Sequence, residues 1–495
     1  MVKNVTVLGA GTAGMLTALW AQRNIVGSDI TVVEDSSKGI IGVGESTFPS
    51  LLTFLNSIEI DPLHFIQKVE GTIKNGIKFE NWNGDGESYM HEFQSRGKLN
   101  LDSASILPYF SRDCGWEWWQ RRIIDDGEIR WGDLNYGSLM SKENKVDLEN
   151  LTYAFQFNTN NASKYFKTVA LERGIKFVDG TFESVVKDDI DNIKELVLNT
   201  CSIDTDFIFD CSGFSRLIIG GVYDQKWIPF EQQKSMKCAI PFFLESEDDI
   251  EPYTSAIAMK NGWMWKTPLQ NRIGSGYVFD SDYITPDEAK EEVEEYFGHE
   301  ITVNKVIPFN AGRYENVWVK NCISVGLSSG FIEPLESTSI VSATVLLERL
   351  CTHIPLMSTR NKVGVDEFNK LAGGGMDKVS DFVYIHYLTK RDDTPFWREF
   401  REKHPPSKRV SKILGLLEGN DLNGMNLGTD HLWPVSSYLS IAEGIGLVGK
   451  NHNNVYENLS PSIKEISKDN EYFLNYYAKP HKQVLKEIEE YYKDK

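Results

Sequence analysis

A short, mostly apolar run, Asn4-Val5-Thr6-Val7-Leu8, passes without a break into Gly9-Ala10-Gly11-Thr12-Ala13-Gly14. The run suits a buried parallel strand, and Met15 to Ala21 has helix-forming composition. A second apolar run, Ile30-Thr31-Val32-Val33, then ends in Glu34. Strand, glycine turn, helix, strand and acid form the βαβ unit of a Rossmann half. Gly9 permits the tight turn, Gly11 lets backbone approach a pyrophosphate, and Gly14 lets helix and strand pack closely. Thr12 and Ala13 open the helix, whose free N–H groups and dipole favour an anion. Glu34, about 20 residues after Gly14, is placed to accept hydrogen bonds from a ribose. A glycine turn without a ligand is the competing reading, and the spacing of the acid weighs against it.

The rest of the composition narrows the class. At about 100–200 residues per domain, the 495 residues allow two to four domains, fewer if the chain forms one interwoven body. A formal net charge of −19 argues against nucleic acid, which demands clustered Lys and Arg, and against anionic membranes; its simplest consequence is solubility. No apolar stretch of about 18 residues predicts a membrane span. A first strand beginning at Lys3 leaves no room for a signal peptide. Cys114, Cys201, Cys211, Cys238, Cys322 and Cys351 include no C-x-x-C pair and no zinc-ligand spacing. The expectation is a cytoplasmic protein with reduced thiols and no metal site; a homo-oligomer is left open. The 12 Trp and 26 Phe mostly serve the core, with some free to line a pocket for an aromatic ligand.

Along the chain, Ile41 to Pro49 reads as a loop whose Ser46-Thr47 pair could face a flat ring. Residues 151–215 alternate short strands with one helix near Ser163–Arg173, and Phe207 to Gly213 is an apolar strand stopping at Asp210. Residues 235–310 read as β-rich: Cys238–Leu244, Ser255–Met259, Trp263–Thr267 and Arg272–Phe279. Cys322–Gly326 is another strand, and Leu327 to Ser339 a loop. Helical patterns follow over Ile340–Leu350, Val365–Leu371, Asp377–Tyr387 and Tyr472–Tyr492. The predicted architecture is α/β: an FAD-binding, flavoprotein monooxygenase-like domain over residues 1–350, carrying the β-rich layer, then a mostly helical substrate-side region over 351–495.

Trp263-Met264-Trp265-Lys266-Thr267-Pro268 resembles the W-x-W-x-x-P hallmark of the flavin-dependent halogenases, most closely the tryptophan halogenases. Four further places carry the resemblance: Gly9–Gly14, Gly44-Glu45-Ser46-Thr47, the segment Gly71 to Trp82, and Gly326 to Thr338 with its Glu333-Pro334-Leu335-Glu336-Ser337-Thr338 core. The similarity runs over most of residues 1–400 and then fades. It implies that FADH2 from a separate flavin reductase, with oxygen, oxidises chloride, bromide or iodide to hypohalous acid. The oxidant then crosses a tunnel to a lysine beside a small aromatic substrate. Lys74 is the matching lysine. An ammonium can hydrogen-bond hypohalous acid, and a neutral amine can become a haloamine; a fixed position gives regiochemistry. Lys78 stays in competition, because both would share a face of one continuous strand. Glu336 matches the carboxylate that handles the arene proton; Glu333 is its nearby competitor, and ordinary loop acids are the alternative reading of both. Thr338 and Ser339 match the halide site, where family members often carry Gly at the second position. Trp263, Trp265 and Pro268 match the tunnel, with plain core packing as the alternative. Leu327 and Ile340 match flavin-ring contacts, Val185 an adenine-side contact, and His91, Phe93 and Trp433 the arene-binding aromatics.

The chain departs from the tryptophan-specific pattern before Trp433. Gly419 to Gly424 holds no Tyr pair, and no Glu stands at the spacing that would fix an amino-acid backbone. Charge-assisted bonds contribute about 1.5–3 kcal/mol each, so free tryptophan loses several. The expected substrates are phenols, indoles or other electron-rich rings. A flavin monooxygenase or reductase of the same fold, or a non-catalytic FAD-binding protein, are the competing functions.

Overall fold

The computed structural model describes residues 2–39, 45–93, 153–247, 249–419, 422, 424–427, 432–447 and 481–493. The glycines of the Ile41–Gly44 loop, Cys114, and Asn420, Asp421 and Asn423 of the Gly419–Gly424 stretch lie outside them. A six-stranded sheet runs in the order Trp318–Val319, Cys322–Ser324, Phe207–Asp210, Asn4–Leu8, Asp29–Glu34, Lys176–Asp179. All neighbours are parallel except the first pair. The Thr12–Asn24 helix crosses between the Asn4–Leu8 and Asp29–Glu34 strands, as the glycine turn predicts, and buries Met15, Leu16, Leu19 and Trp20 in the main core.

A seven-stranded sheet lies beside it, in the order Ile307–Pro308, Cys238–Glu245, Arg272–Phe279, Gly262–Pro268, Thr254–Met259, Gly76–Glu80, Ser88–Glu92. The β-rich reading of residues 235–310 anticipates its four long strands to within a residue or two. Trp265 pairs in register with Gly276, and a Cβ on Gly276 would lie 2.1 Å from the Trp265 ring. The glycine is the space that the indole occupies.

Two expectations need correction. The Gly71–Trp82 segment is not one strand: Thr72–Lys74 joins a three-stranded sheet with Glu45–Ser46 and Ala154–Phe157, whereas Gly76–Glu80 joins the seven-stranded one. The chain changes sheets at Asn75, whose N–H donates to the Pro252 carbonyl at 2.7 Å. Likewise, the two helices predicted on either side of Gly373-Gly374-Gly375 are one, Lys362–His386. Glycines in a helix interior each cost about 1 kcal/mol relative to Ala. Here the Arg313 and Arg349 guanidinium groups pack where Cβ atoms of residues 373 and 375 would stand, at 2.9 and 2.6 Å, and Arg313 pairs with Asp377 at 2.7 Å.

The predicted loop over Leu327–Ser339 is also more ordered than its composition suggests. It contains short turns at Gly326–Ser328 and Pro334–Glu336, and the Thr338–Cys351 helix starts before its end. Of the predicted Tyr472–Tyr492 helix, the described part is His481–Tyr492. No helix among the described residues is long and apolar enough to cross a membrane.

Candidate active site

The switch of sheets at Asn75 separates the two candidate lysines. Lys78 is partly exposed on the seven-stranded sheet, 3.6 Å from Glu80. Lys74 is fully buried. Its ammonium donates to the Thr47 carbonyl at 3.0 Å and to the Ser337 hydroxyl at 2.7 Å, and lies 5.0 Å from the centre of the Phe93 ring. Burial, partly opposed by the Glu336 carboxylate, brings its pKa down to about 7. Burial thus moves the amine towards its neutral form, the form in which nitrogen is nucleophilic.

Ser337 is a residue that sequence reasoning missed. It holds a left-handed backbone, φ 58°, a strained conformation outside glycine and Asn. That turn aims its hydroxyl at Lys74 and, at 3.2 Å, at Ser46. Ser46 in turn meets Thr254 at 2.7 Å. Thr47 exchanges hydrogen bonds with Phe155, so Ser46 and Thr47 serve the lysine's surroundings.

Glu336 is fully buried on the same loop. Both its oxygens lie within 3.0 Å of His91 Nδ1, and Oε1 is 2.9 Å from His386 Nε2. Burial alone would raise its pKa, but the two imidazoles outweigh burial and hold it at about 2. His386, the last residue of the long helix, was missed: nothing local marks it, and only folding brings it to Glu336. Its Nδ1 also lies 3.0 Å from the Phe382 carbonyl. His91 Nε2 is buried and has no hydrogen-bond partner among the described residues.

The aromatic residues expected at the substrate converge here. His91 lies 6.0 Å from Phe93 and 5.9 Å from Phe382, centre to centre. Phe382 stacks on Trp433 at 4.2 Å, and Phe48 bridges Phe93 and Trp433 at 5.0 and 6.0 Å. Trp433 Nε1 is also buried and unpaired among the described residues. Lys74, Glu336 and the aromatics expected at the substrate thus share one neighbourhood.

Trp263 is buried and donates its indole N–H to Glu333 at 2.7 Å; Tyr387 donates to the same oxygen at 2.8 Å. Burial, partly offset by these two donors, raises Glu333 to about 7. Trp265 lies 6.2 Å from Trp263, and the Pro268 carbonyl accepts from Thr72 at 2.7 Å.

At the dinucleotide turn, Gly9 has φ 114°, and its Cβ would meet the Cys211 carbonyl at 2.3 Å. A Cβ at Gly14 would lie 1.9 Å from the Gly9 carbonyl, whereas one at Gly11 would meet nothing within 4 Å. Gly11 caps a helix with no side-chain cap and no acid in its first turn. An open cradle over free N–H groups is what an FAD pyrophosphate requires. Glu34 contacts Lys167. Gly326, φ 68°, abuts Ala13, which sets Leu327 and the following loop beside this turn. Ile340 is buried in the first turn of the Thr338–Cys351 helix. That helix also starts without a side-chain cap or acid, so the N–H groups of Thr338 and Ser339 suit a halide. The Thr338 hydroxyl is turned back to the Ile332 and Glu333 carbonyls. Val185 sits farther off, on the Phe182–Lys187 strand of a separate three-stranded sheet. No cluster of metal-ligating side chains occurs among the described residues.

Comparison with known proteins agrees with this arrangement. The profile described as Tryptophan halogenase matches residues 4–461. The tryptophan 7-halogenase RebH of Lentzea aerocolonigenes is 30% identical over 480 residues, 90% of each chain. Among solved structures, BrvH, a flavin-dependent halogenase from Brevundimonas sp. BAL3, superposes with a TM-score of 0.83 at 27% identity, covering 99% of both chains. The tryptophan 6-halogenase SttH of Streptomyces toxytricini gives 0.84 at 25% identity, covering 97% of this chain and 99% of its own. With a cradle for FAD at one end and a buried lysine among aromatic rings at the other, this chain belongs to the tryptophan halogenase family of flavin-dependent halogenases.

Proposed function

We propose that this protein is a two-component halogenase acting on an electron-rich arene other than free tryptophan, with Lys74 as the halogen-delivering group and Glu336 as the carboxylate that governs the arene proton. The observation that carries the reading is the Lys74 amine, wholly buried and set over the Phe93 ring.

When bound as FADH2 from a separate reductase, the flavin supplies with oxygen and halide the hypohalous acid. Gly9, Gly11 and Gly14 would hold its pyrophosphate, Glu34 its ribose, and Leu327 and Ile340 its ring. Thr338 and Ser339 would hold chloride, bromide or iodide. Neutral Lys74 can take halogen from hypohalous acid, forming N–X and releasing water. Protonated Lys74 can instead hold the acid by a hydrogen bond. In the first case the arene carbon takes the halogen, and the ring proton and the N–X electron pair restore the amine. Ionised Glu336 stabilises the positive charge that develops on the ring and orients His91 beside it. The clustered rings of His91, Phe93 and Trp433, joined through Phe48 and Phe382, favour a flat, apolar ligand. The sequence before Trp433 offers no clamp for a zwitterion, which is the ground for excluding free tryptophan.

The test supplies reductase-generated FADH2, oxygen and bromide with a panel of phenols, indoles and free tryptophan, and reads the products by mass. Brominated phenol or indole is expected, with loss of at least 100-fold in Lys74→Ala while FAD binding persists. Hydroxylated product that survives Lys74→Ala would turn the assignment to a monooxygenase. FAD binding without any product would turn it to a non-catalytic flavin protein.

A further inference from the structure

Among the described residues the strand that carries Lys74 is an edge strand: Thr72–Lys74 pairs there only with Ala154–Phe157, leaving its other side without a described strand neighbour. An N–H on that side would be a buried donor without a partner, which is a costly state. Instead, the Ile73 N–H donates to His481 Nε2 at 3.1 Å. His481 opens the His481–Tyr492 helix and is 1% exposed. Its other ring nitrogen, Nδ1, lies 3.0 Å from the Ile250 carbonyl. A carbonyl only accepts, so Nδ1 carries the ring proton and Nε2 presents its lone pair to Ile73. Burial, partly offset by that carbonyl, holds the imidazole down to about 4, which keeps it the neutral acceptor that this contact needs.

The same short segment fixes the other side of the lysine, because the Pro252 carbonyl accepts the Asn75 N–H at 2.7 Å. Residues 73 and 75 are therefore both tied to residues 250–252, one directly and one through an imidazole. The helix behind His481 is itself anchored: Val484, Leu485 and Ile488 lie in the main core, and Tyr492 reaches Asp61. The Lys74 amine is held between Thr47 and Ser337 at 3.0 and 2.7 Å. A shift of about 1 Å in a reacting group can cost on the order of 100-fold in rate.

We propose that His481 is a positioning residue for Lys74: the C-terminal helix, through the Ile73 N–H, sets where the lysine amine stands against Ser337, Thr47 and Phe93. The proposal rests on the reading of Lys74 as the halogen-delivering group.

The test uses the full-length, FAD-binding protein with reductase-generated FADH2, oxygen and bromide, and with phenol and indole as arenes. A 1,3-diketone scavenger reports hypobromous acid released into solution. His481→Ala is expected to lose at least tenfold in kcat for arene bromination, with KM changed less than twofold. FAD binding is retained, and released hypobromous acid is unchanged or higher. His481→Gln, whose Oε1 returns an acceptor to the Ile73 N–H, is expected to recover most of the rate. Equal rates in His481→Ala and wild type overturn the proposal. So does equal impairment of the Ala and Gln proteins, which marks a general packing role. If the Ala protein does not fold, His481→Asn keeps a donor for Ile250 but falls short of Ile73, and the same outcomes decide. Lys74→Ala is assayed alongside. If it still brominates, the lysine reading fails and this proposal with it; if it is inactive while His481→Ala is unimpaired, only the positioning role fails.

Discussion

Glu333 and Glu336 stand three residues apart on one loop and are both shut off from solvent, yet their surroundings drive them in opposite directions. On the Glu333 side the partners are an indole N–H and a phenol O–H, neutral donors that only partly offset the cost of burying charge, and the acid rises to about 7. On the Glu336 side the partners are two imidazoles that can carry charge, and the acid falls to about 2. Depth of burial is the same; the chemistry of the neighbours decides which acid stays ionised beside the lysine. Glu336 is thereby suited to stabilising positive charge on a ring, whereas Glu333 ties the Trp263 strand to the loop.

The sharpest way to break this contrast is by rate. Glu336→Gln is expected to lower kcat for arene bromination by about 100-fold, in the range for loss of an acid–base group, and Glu333→Gln by less than tenfold. The reverse order would show that the wrong acid had been matched to the arene proton.

Stability against pH sharpens it next. The folded pKa of Glu333 lies above its ordinary value of 4.5, so the stability it confers is complete below about 4.5 and is lost as pH rises towards 7. The folded pKa of Glu336 lies below 4.5, so its contribution is present above 4.5 and is lost as pH falls towards 2. Each shift corresponds to on the order of 3 kcal/mol. Chemical denaturation of Glu333→Gln should therefore be flatter than wild type between pH 4.5 and 7, and that of Glu336→Gln flatter between 2 and 4.5. Matching profiles for the two variants would remove the basis of the comparison.

The smallest effect concerns one donor. Trp263→Phe deletes the indole N–H and leaves Tyr387 alone on Glu333, at a cost of about 1–2 kcal/mol. It should extend the Glu333 window to higher pH, read by the same denaturation series, and leave the Glu336 window where it was. Movement of both windows would mean that the two acids titrate as one unit.

Much of this molecule was legible before folding was considered. The Gly9–Gly14 turn names its own surroundings because each glycine answers a local demand, and the strands around Trp263 end within a residue or two of their expected bounds. What was hidden depends on partners remote in the chain. Lys74 and Lys78 could not be separated by period two, because the sheet change at Asn75 is made by the Pro252 carbonyl. Three consecutive glycines looked like a break, because the guanidinium groups that fill the space beside them come from Arg313 and Arg349. His386 and His481 carry no local signature at all; each matters through one nitrogen delivered to a distant strand or loop.

The interlock of Trp265 with Gly276 bears on how this enzyme can be altered. With only 2.1 Å between the ring and the place where any larger residue would put its first carbon, mutations at the two positions are not independent. In a library that varies residue 276 against a fixed tryptophan, every larger residue requires the indole to move. One that trims 265 first, or randomises the pair together, opens a route to reshaping this wall that single substitutions would never find.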